Sequence, residues 1–444
     1  MPPPNFDLRS SEHSGLPFLN GVHVNYETAL DAIAEMDGSD VDLGSSEPSY
    51  PDFPLEEYRD RYGRLTALLD HLDLDALVLT QEEPIKYLSG YNSVIWAVGK
   101  WLPGTMIATR DPRDAVLIPS AFDAGAVAGT SWVPNVDGHR DPIEIPAKVA
   151  LHLDRLGIEA SRVAVENGPG SIVMLPYPVA HDLMALFAAE ATDASKVMSV
   201  LRLQKSPAEV DRVRKIVSAT VAGYRAGLEA ARMGMTEKDI VAVVAQGIYA
   251  NGGTAGTRPL FLNAVAGPDR YPLVDAAASD RVLRQGDVMF LDGGAGGDGY
   301  MSDIIRLLAF GEITADQERY AAVASKATKA MVESARPGVK ASELYQVGQD
   351  VFVEEGLGEH GGALSGHGIG LELWERPLLR VHDDPAEDIT LRTGMTLCLE
   401  PILAPPDDSG GLAGIFVFEQ QVLITDRGNE VLSGALDAEL WRVA

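Results

Sequence analysis

Asp292, Asp303, His367, Glu400 and Glu419 each stand within or at the end of an apolar or glycine-rich run, and this placement restricts what a chain of 444 residues can fold into. Asp292 ends Val288-Met289-Phe290-Leu291, and Asp303 closes Gly299-Tyr300-Met301-Ser302-Asp303. His367 lies in Gly366-His367-Gly368-Ile369-Gly370, Glu400 in Leu399-Glu400-Pro401, and Glu419 in Phe416-Val417-Phe418-Glu419. An ionised carboxylate taken alone into apolar surroundings is very costly, so glutamates at such positions call for partners. Salt bridges are one answer. Two divalent cations are the other, because four positive charges balance four carboxylates and leave a buried cluster neutral. Oxygen donors with one imidazole suit Mn, Fe, Co or Zn better than Cu or a soft thiolate site. A fold meeting this demand must bring distant segments together, and the donor set argues for an enzyme.

The bulk composition narrows the remaining classes. A chain this long exceeds one ordinary core, so two domains are expected. A net charge of −29, from 65 acidic and 36 basic side chains, repels phosphate backbones and anionic membranes, which argues against nucleic-acid or membrane partners. The acidity names no ligand, since salt adaptation or a high-GC coding bias would also produce it. The single cysteine, Cys398 between Leu397 and Leu399, allows no intrachain disulfide and reads as a core residue. The N-terminus lacks a basic start followed by an apolar stretch, and no apolar run approaches the roughly 20 residues of a membrane helix. The expectation is a soluble, cytoplasmic protein.

Residues 1–52, rich in Pro, Ser, Gly and Asp, read as an extension that packs loosely or wraps a neighbour. From 53 to about 200, helical and strand-like runs alternate as in an α/β layer, with a helix over Tyr58–Leu72 and strands at Ala76–Leu79, Met106–Ala108 and Ala115–Ile118. Ser206, Pro207 and Glu209 form a helix-opening signature, with Val210, Val213, Ile216 and Val217 following at helical spacing, so a long amphipathic helix opens a second domain, 201–444. That domain repeats itself. Arg232, Gly234, Asp239, Ile240 and Gly252 have counterparts at the same offsets in Arg336, Gly338, Glu343, Leu344 and Gly356. Chance similarity of two helix–turn–helix segments is one reading. Duplication of an α+β half is the other, and it creates a pseudo-symmetric cleft where ligands from both halves meet.

Gly294, Gly296 and Gly299 satisfy a dinucleotide-binding spacing, but that fingerprint requires a helix next. Tyr300 to Phe310 instead reads as extended, so a hairpin carrying Asp292 and Asp303 to one sheet end is expected. The glycines around His367 allow close backbone approach and a constrained ring.

Taken together, these motifs resemble the creatinase / Xaa-Pro dipeptidase / methionine aminopeptidase family of "pita-bread" metallohydrolases. The resemblance covers roughly 200–430 and, more loosely, 55–195, where Tyr87-Leu88-Ser89-Gly90-Tyr91 and Leu201-Arg202-Leu203-Gln204-Lys205-Ser206 are similar to the creatinase-type N-terminal domain. It implies an α/β N-terminal domain followed by an α+β pita-bread catalytic domain with an internal pseudo-two-fold duplication. It also implies that Asp292, Asp303, His367, Glu400 and Glu419 hold two divalent metal ions, with Glu400 as general base and His367 beside it at the reacting centre. The implied reaction is hydrolysis of an amide or related C–N bond in a dipeptide or another small amino-acid derivative. A homodimer, the N-terminal domain closing the partner's active site, is implied as well.

Three positions depart from the family pattern. Trp374 replaces a second histidine, and an indole has one donor and no acceptor. The stretch Ala266–Val274 lacks a histidine usually found there. Val417 stands where proline-specific members often carry arginine. The substrate-facing shell is therefore expected to be rebuilt from Trp374, Arg376, Arg380 and Tyr300, the tryptophan stacking on or caging a cation and an arginine holding a carboxylate. Packing of Trp374 against the sheet, with both arginines in solvent, is the alternative. Trp96 and Trp101 are further candidates across a dimer interface. Three functional readings follow: a dipeptidase-like metal hydrolase; a family member with diverged chemistry (a compatible-solute ring hydrolase, an amidinohydrolase or a sulfonium-zwitterion lyase); and a non-catalytic binding module.

Overall fold

The computed structural model describes residues 24–34, 36–45, 47–95, 102–168, 172–188, 191–254 and 261–443. Residues 1–23, Trp96 and Trp101 lie outside the described residues. Two compact units divide the rest, 24–202 and 203–443. No helix among the described residues is long and apolar enough to cross a membrane.

The first unit is an α/β layer. Its five-stranded sheet has the order β4 (Asn135–Val136), β3 (Val116–Ile118), β2 (Thr105–Thr109), β1 (Ala76–Leu79), β5 (Val163–Val165). Ala76, Val78, Ile107, Val116, Ile118, Val163 and Val165 bury one face against Ile145, Val149 and Leu153 of the helix Ile145–Leu156. The described part of the N-terminal stretch is not loosely packed. The helix Tyr26–Ile33, capped by Asn25, buries Tyr26, Ala29, Leu30 and Ile33. Gly38 further on touches the backbone of Arg59 and Asp60, in the helix Leu55–His71, closely enough that no Cβ fits there. Apolar residues spaced three to four apart, hidden in a polar-looking segment, explain the difference.

Glu166 follows β5 and is fully buried. Thr80 donates to it through its amide and hydroxyl (2.8 and 2.5 Å), and the Gln81 amide at 3.1 Å. Burial pushes its pKa from 4.5 up to about 7 against the pull of these bonds. A carboxyl with a raised folded pKa gives its full stabilisation only below the unfolded value, and loses it as pH rises through the folded one. Glu166→Gln keeps an acceptor toward Thr80 and should flatten the fall in stability between 4.5 and about 7, by about 3 kcal/mol at 1.36 kcal/mol per unit. Denaturant unfolding across that pH range checks this, and an unchanged profile would mean the carboxyl titrates normally.

The second unit is α+β and duplicated. Ser206 caps the helix Pro207–Ala230 in a capping box with Glu209, and the helix Glu237–Ala250 follows. The pair Ala315–Ser334 and Ala341–Glu354 repeats this arrangement. Gly234 (φ +89°) and Gly338 (φ +87°) make the same left-handed turn. After them Thr236 bridges Val282, and Lys340 bridges Thr390. Each helix pair is joined to a sheet. The first sheet has the order β16 (Trp441–Val443), β10 (Ile304–Phe310), β7 (Val288–Gly294), β6 (Phe261–Ala266). It is antiparallel except for its edge strand β16, which runs parallel to β10. The second has the order β12 (Glu375–Leu378), β11 (Gly366–Gly368), β13 (Thr396–Leu399), β14 (Gln420–Thr425), β15 (Gly428–Val431), and is antiparallel throughout.

Between β7 and β10 lies a small hairpin, β8 (Gly296–Gly297) and β9 (Tyr300–Met301), turned by Asp298 (φ +49°) and Gly299 (φ +88°). Positive φ at both central residues is the two-residue hairpin turn that matches strand twist. No helix follows these glycines, and the dinucleotide spacing is a hairpin.

Candidate metal centre

Strand periodicity assembles the site. Val288, Phe290 and Asp292 share one face of β7, and Ile305 stands opposite Asp292 across the antiparallel pair. Val288, Phe290, Ile305 and Leu307 belong to the apolar core, so the same face ends in Asp292 and Asp303. In the second sheet, His367 on β11 faces Cys398 on β13, and Glu400 follows two positions later. Glu419 precedes β14 by one residue, and its amide donates to the Ile305 carbonyl at 3.2 Å, tying one sheet to the other. The glycines flanking His367 serve close strand approach: a Cβ at Gly366 would strike the Cys398 carbonyl, and one at Gly368 the Arg376 carbonyl.

Among the described residues, Asp292, Asp303 and Glu419 bring one ligand atom each within 4.8 Å of one another, and His367, Cys398 and Glu419 do likewise. Glu419 belongs to both groups. The His367 Nε2 lies 3.5 Å from Glu400 Oε1 and 3.9 Å from Asp303 Oδ2. All five predicted ligands therefore converge.

The residues fit divalent cations. Glu419 is fully buried, and among the described residues no nitrogen or oxygen donor reaches either of its oxygens, which lie beside the Cys398 thiol; Asp303 Oδ1 likewise has no donor. Buried carboxylate oxygens without donors need a cation or a proton. Burial, and then the charge of Asp303, pushes Glu400 up to about 8. Asp303 is raised to about 7 by burial. Asp292 and Glu419 are held well above the carboxylate range by enclosure and by the neighbouring acids. Burial lowers His367 to about 4, which keeps the imidazole neutral. Its Nδ1 lies 2.9 Å from the Gly368 carbonyl. A proton on Nδ1 makes that bond and leaves the Nε2 lone pair facing two carboxylates, an arrangement a cation would stabilise.

The expected substrate shell divides. Trp374 stacks on His367, with ring centroids 5.1 Å apart and planes at 26°, while 45% of it stays exposed. It does not simply pack against the sheet. Arg376 is engaged elsewhere, pairing with Glu387 at 2.9 Å in a largely buried contact. Arg380 is half-buried, and burial and the neighbouring Arg376 lower its pKa. Tyr300 is corrected as a substrate contact: its ring is buried and its hydroxyl donates to Glu209 at 2.7 Å, inside the cap of the helix Pro207–Ala230. Tyr300 follows the turn glycine directly, so its side chain goes inward with the hairpin.

Comparison with known proteins gives the arrangement its context. The family model described as metallopeptidase family M24 matches residues 211–426, and that of the creatinase/prolidase N-terminal domain matches 61–204. An Xaa-Pro dipeptidase of Pyrococcus horikoshii is 30% identical over 382 residues, 85% of this chain and 98% of that protein. A probable dipeptidase PepE of Mycobacterium tuberculosis is 31% identical over 383 residues, covering 85% and 94%. The chain belongs to metallopeptidase family M24. The solved Xaa-Pro dipeptidase from Bacillus anthracis shares the fold, with TM-score 0.73 and 24% identity over 87% of this chain and all of that one. The prolidase from Pyrococcus horikoshii does so at TM-score 0.70 and 24% identity, over 84% and 98%. Along the chain a creatinase-type domain is followed by a domain with the pita-bread fold, and this M24 protein is a metal-dependent hydrolase.

Three supporting residues of this M24 centre escaped sequence reasoning. Arg306, within the apolar run of β10, is buried and donates to the carbonyls of Ile305 and Glu419 (2.7 and 2.6 Å), which fixes the chain at Glu419. An arginine in the middle of an apolar strand was its signal. Tyr224 places its hydroxyl between the carbonyls of Gly293 and Ile304, at 2.9 and 2.5 Å. Gln421 accepts the Asp303 amide at 3.2 Å. Neither of the last two had a sequence signal, since both pair with partners remote in the chain.

Proposed function

We propose that this M24 hydrolase is a dipeptidase-like enzyme that holds two divalent ions through Asp292, Asp303, His367, Glu400 and Glu419 and cleaves a C–N bond in a small amino-acid-derived substrate. The observation that carries the reading is the pair of overlapping donor groups sharing Glu419, whose buried oxygens meet no nitrogen or oxygen donor among the described residues. Divalent ions bound there would polarise a carbonyl and lower the pKa of water. The protein's own part is distinct. Glu400, at the end of β13 and slightly open to solvent, is the side chain placed to take a proton from attacking water and pass it to the leaving nitrogen. His367, locked by Gly368, orients the centre. Val417, where proline-specific members often have arginine, is fully buried in the apolar core and contributes nothing to a substrate carboxylate. Trp374 offers an aromatic face beside the imidazole, so substrate preference should differ from that of a plain Xaa-Pro dipeptidase.

Metal content and a substrate panel test this together. Purified protein should carry about two Mn, Fe, Co or Zn ions per chain and hydrolyse some members of a set of dipeptides. Glu400→Gln should lower kcat by about 10²–10⁴ with the fold retained, as for loss of a general base. Rapid turnover of Xaa-Pro dipeptides, at the expense of all others, would refute the altered preference. A metal-free protein with undiminished activity would refute the centre.

A further inference from the structure

Cys398 stands where three donor types meet. It is fully buried, directly opposite His367 across the β11–β13 pair and opposite Gln421 across β13–β14. Directly opposed residues share a sheet face, and Glu400, two positions on, shares it too. One ligand atom each of Cys398, His367 and Glu419 lie within 4.8 Å of one another. Glu419 is fully buried, among the described residues no nitrogen or oxygen donor reaches either of its oxygens, and it belongs to this same group. Zn–S bonds of about 2.3 Å and Zn–N bonds of about 2.0 Å at a tetrahedral angle put two ligands of one ion roughly 3.5 Å apart, so three atoms within 4.8 Å of one another must draw in by up to about 1 Å as the ion binds. Met301 and Ile369 form a buried apolar cluster with Cys398, with Leu373 packed against it, and the thiol is shut off from solvent.

We propose that Cys398, releasing its thiol proton to solvent as metal binds, is a thiolate ligand to the ion on the His367 side of the centre, so that the loaded cluster carries one negative charge more than the four carboxylates alone would leave. The inference rests on the two-ion reading above and adds a ligand to it. The two positions then differ in kind: Asp292 and Asp303 present only oxygen, whereas the His367 side presents nitrogen, sulfur and oxygen. Sulfur favours Zn, Co and Fe(II) over Mn or Mg, so the centre should discriminate between metals at one position and not at the other.

Titrating metal-stripped protein with Co(II) alone, followed by absorption and by bound cobalt, tests this. The chain has one cysteine, so any sulfur-to-cobalt charge-transfer band in the near ultraviolet belongs to Cys398. That band is expected in the native protein and absent from Cys398→Ser and Cys398→Ala. Competition should also show Cys398→Ala losing about tenfold of its preference for Zn over Mn. If native protein binds two cobalt ions with ligand-field bands alone, the thiol only leans on Glu419; the proposal then fails while the metal centre survives. If it binds no cobalt, the centre fails and takes the proposal with it. The native spectrum decides by itself, so a variant that misfolds does not blunt the test.

Discussion

Glu419→Gln is expected to empty both metal positions and lower kcat/KM by at least about 10³. This side chain is the only member common to the two donor groups. An amide keeps its size but supplies neither the charge nor the second oxygen donor. Loss of a metal's charge stabilisation is worth several kcal/mol, which at 1.36 kcal/mol per decade corresponds to the stated fall. Circular dichroism should show the fold unchanged, because the strand contacts around Glu419 run through its backbone: its amide bonds Ile305 and its carbonyl bonds Arg306. At pH high enough to ionise Glu419, the metal-free variant should be more stable than metal-free native protein, since a buried amide is less costly than an uncompensated carboxylate. Elemental analysis and dipeptide hydrolysis read the result. Full metal content in this variant would mean that Glu419 is not a shared ligand.

Stripping the ions should make stability fall steeply with rising pH. In the metal-free protein Asp303 is raised to about 7 and Glu400 to about 8, chiefly by burial. These are carboxyls whose folded values lie above their unfolded ones. Their contribution is complete in acid, below the unfolded values, and disappears as pH climbs through the folded values. A rise of about three units is worth roughly 4 kcal/mol for one group. The cluster titrates as a coupled set, so the total is several kcal/mol rather than a sum over groups. Metal-loaded protein should show a much flatter profile, because the ions replace the protons, and saturation at about a thousand times Kd adds roughly 4 kcal/mol. Thermal unfolding with chelator and with Mn or Zn, from about pH 5 to 8, gives both curves. Parallel curves would mean that the acids do not share one buried site.

Much of this is legible in the sequence. Continuous apolar runs that stop at an acid announced Asp292 and Glu419, and a similar run, Ala76–Leu79, announced a strand. Ser206 with Glu209 announced the helix Pro207–Ala230, because a capping box is local chemistry. The offset repeat around Gly234 and Gly338 announced the duplication, because both glycines take a conformation other residues resist. Contacts between distant segments were not legible. Arg376 looked available for substrate until Glu387, eleven positions on, proved to hold it. Tyr300 was expected in the substrate-facing shell, yet its hydroxyl reaches Glu209.

The chain alone thus determined which residue types must be gathered: four acids and an imidazole, set into runs too apolar to leave them unpaired. Hydrophobic period, turn chemistry and capping are short-range, and they specify each strand and helix almost independently of the rest. Only the tertiary structure decided that Glu419 is shared between two donor groups, that Cys398 lies among them and that Trp374 stacks on His367. Those relations depend on the register between β11, β13 and β14 and on the Glu419–Ile305 bond between sheets. Register is set by packing over many residues at once, and a one-residue slip would turn every one of these side chains to the opposite face.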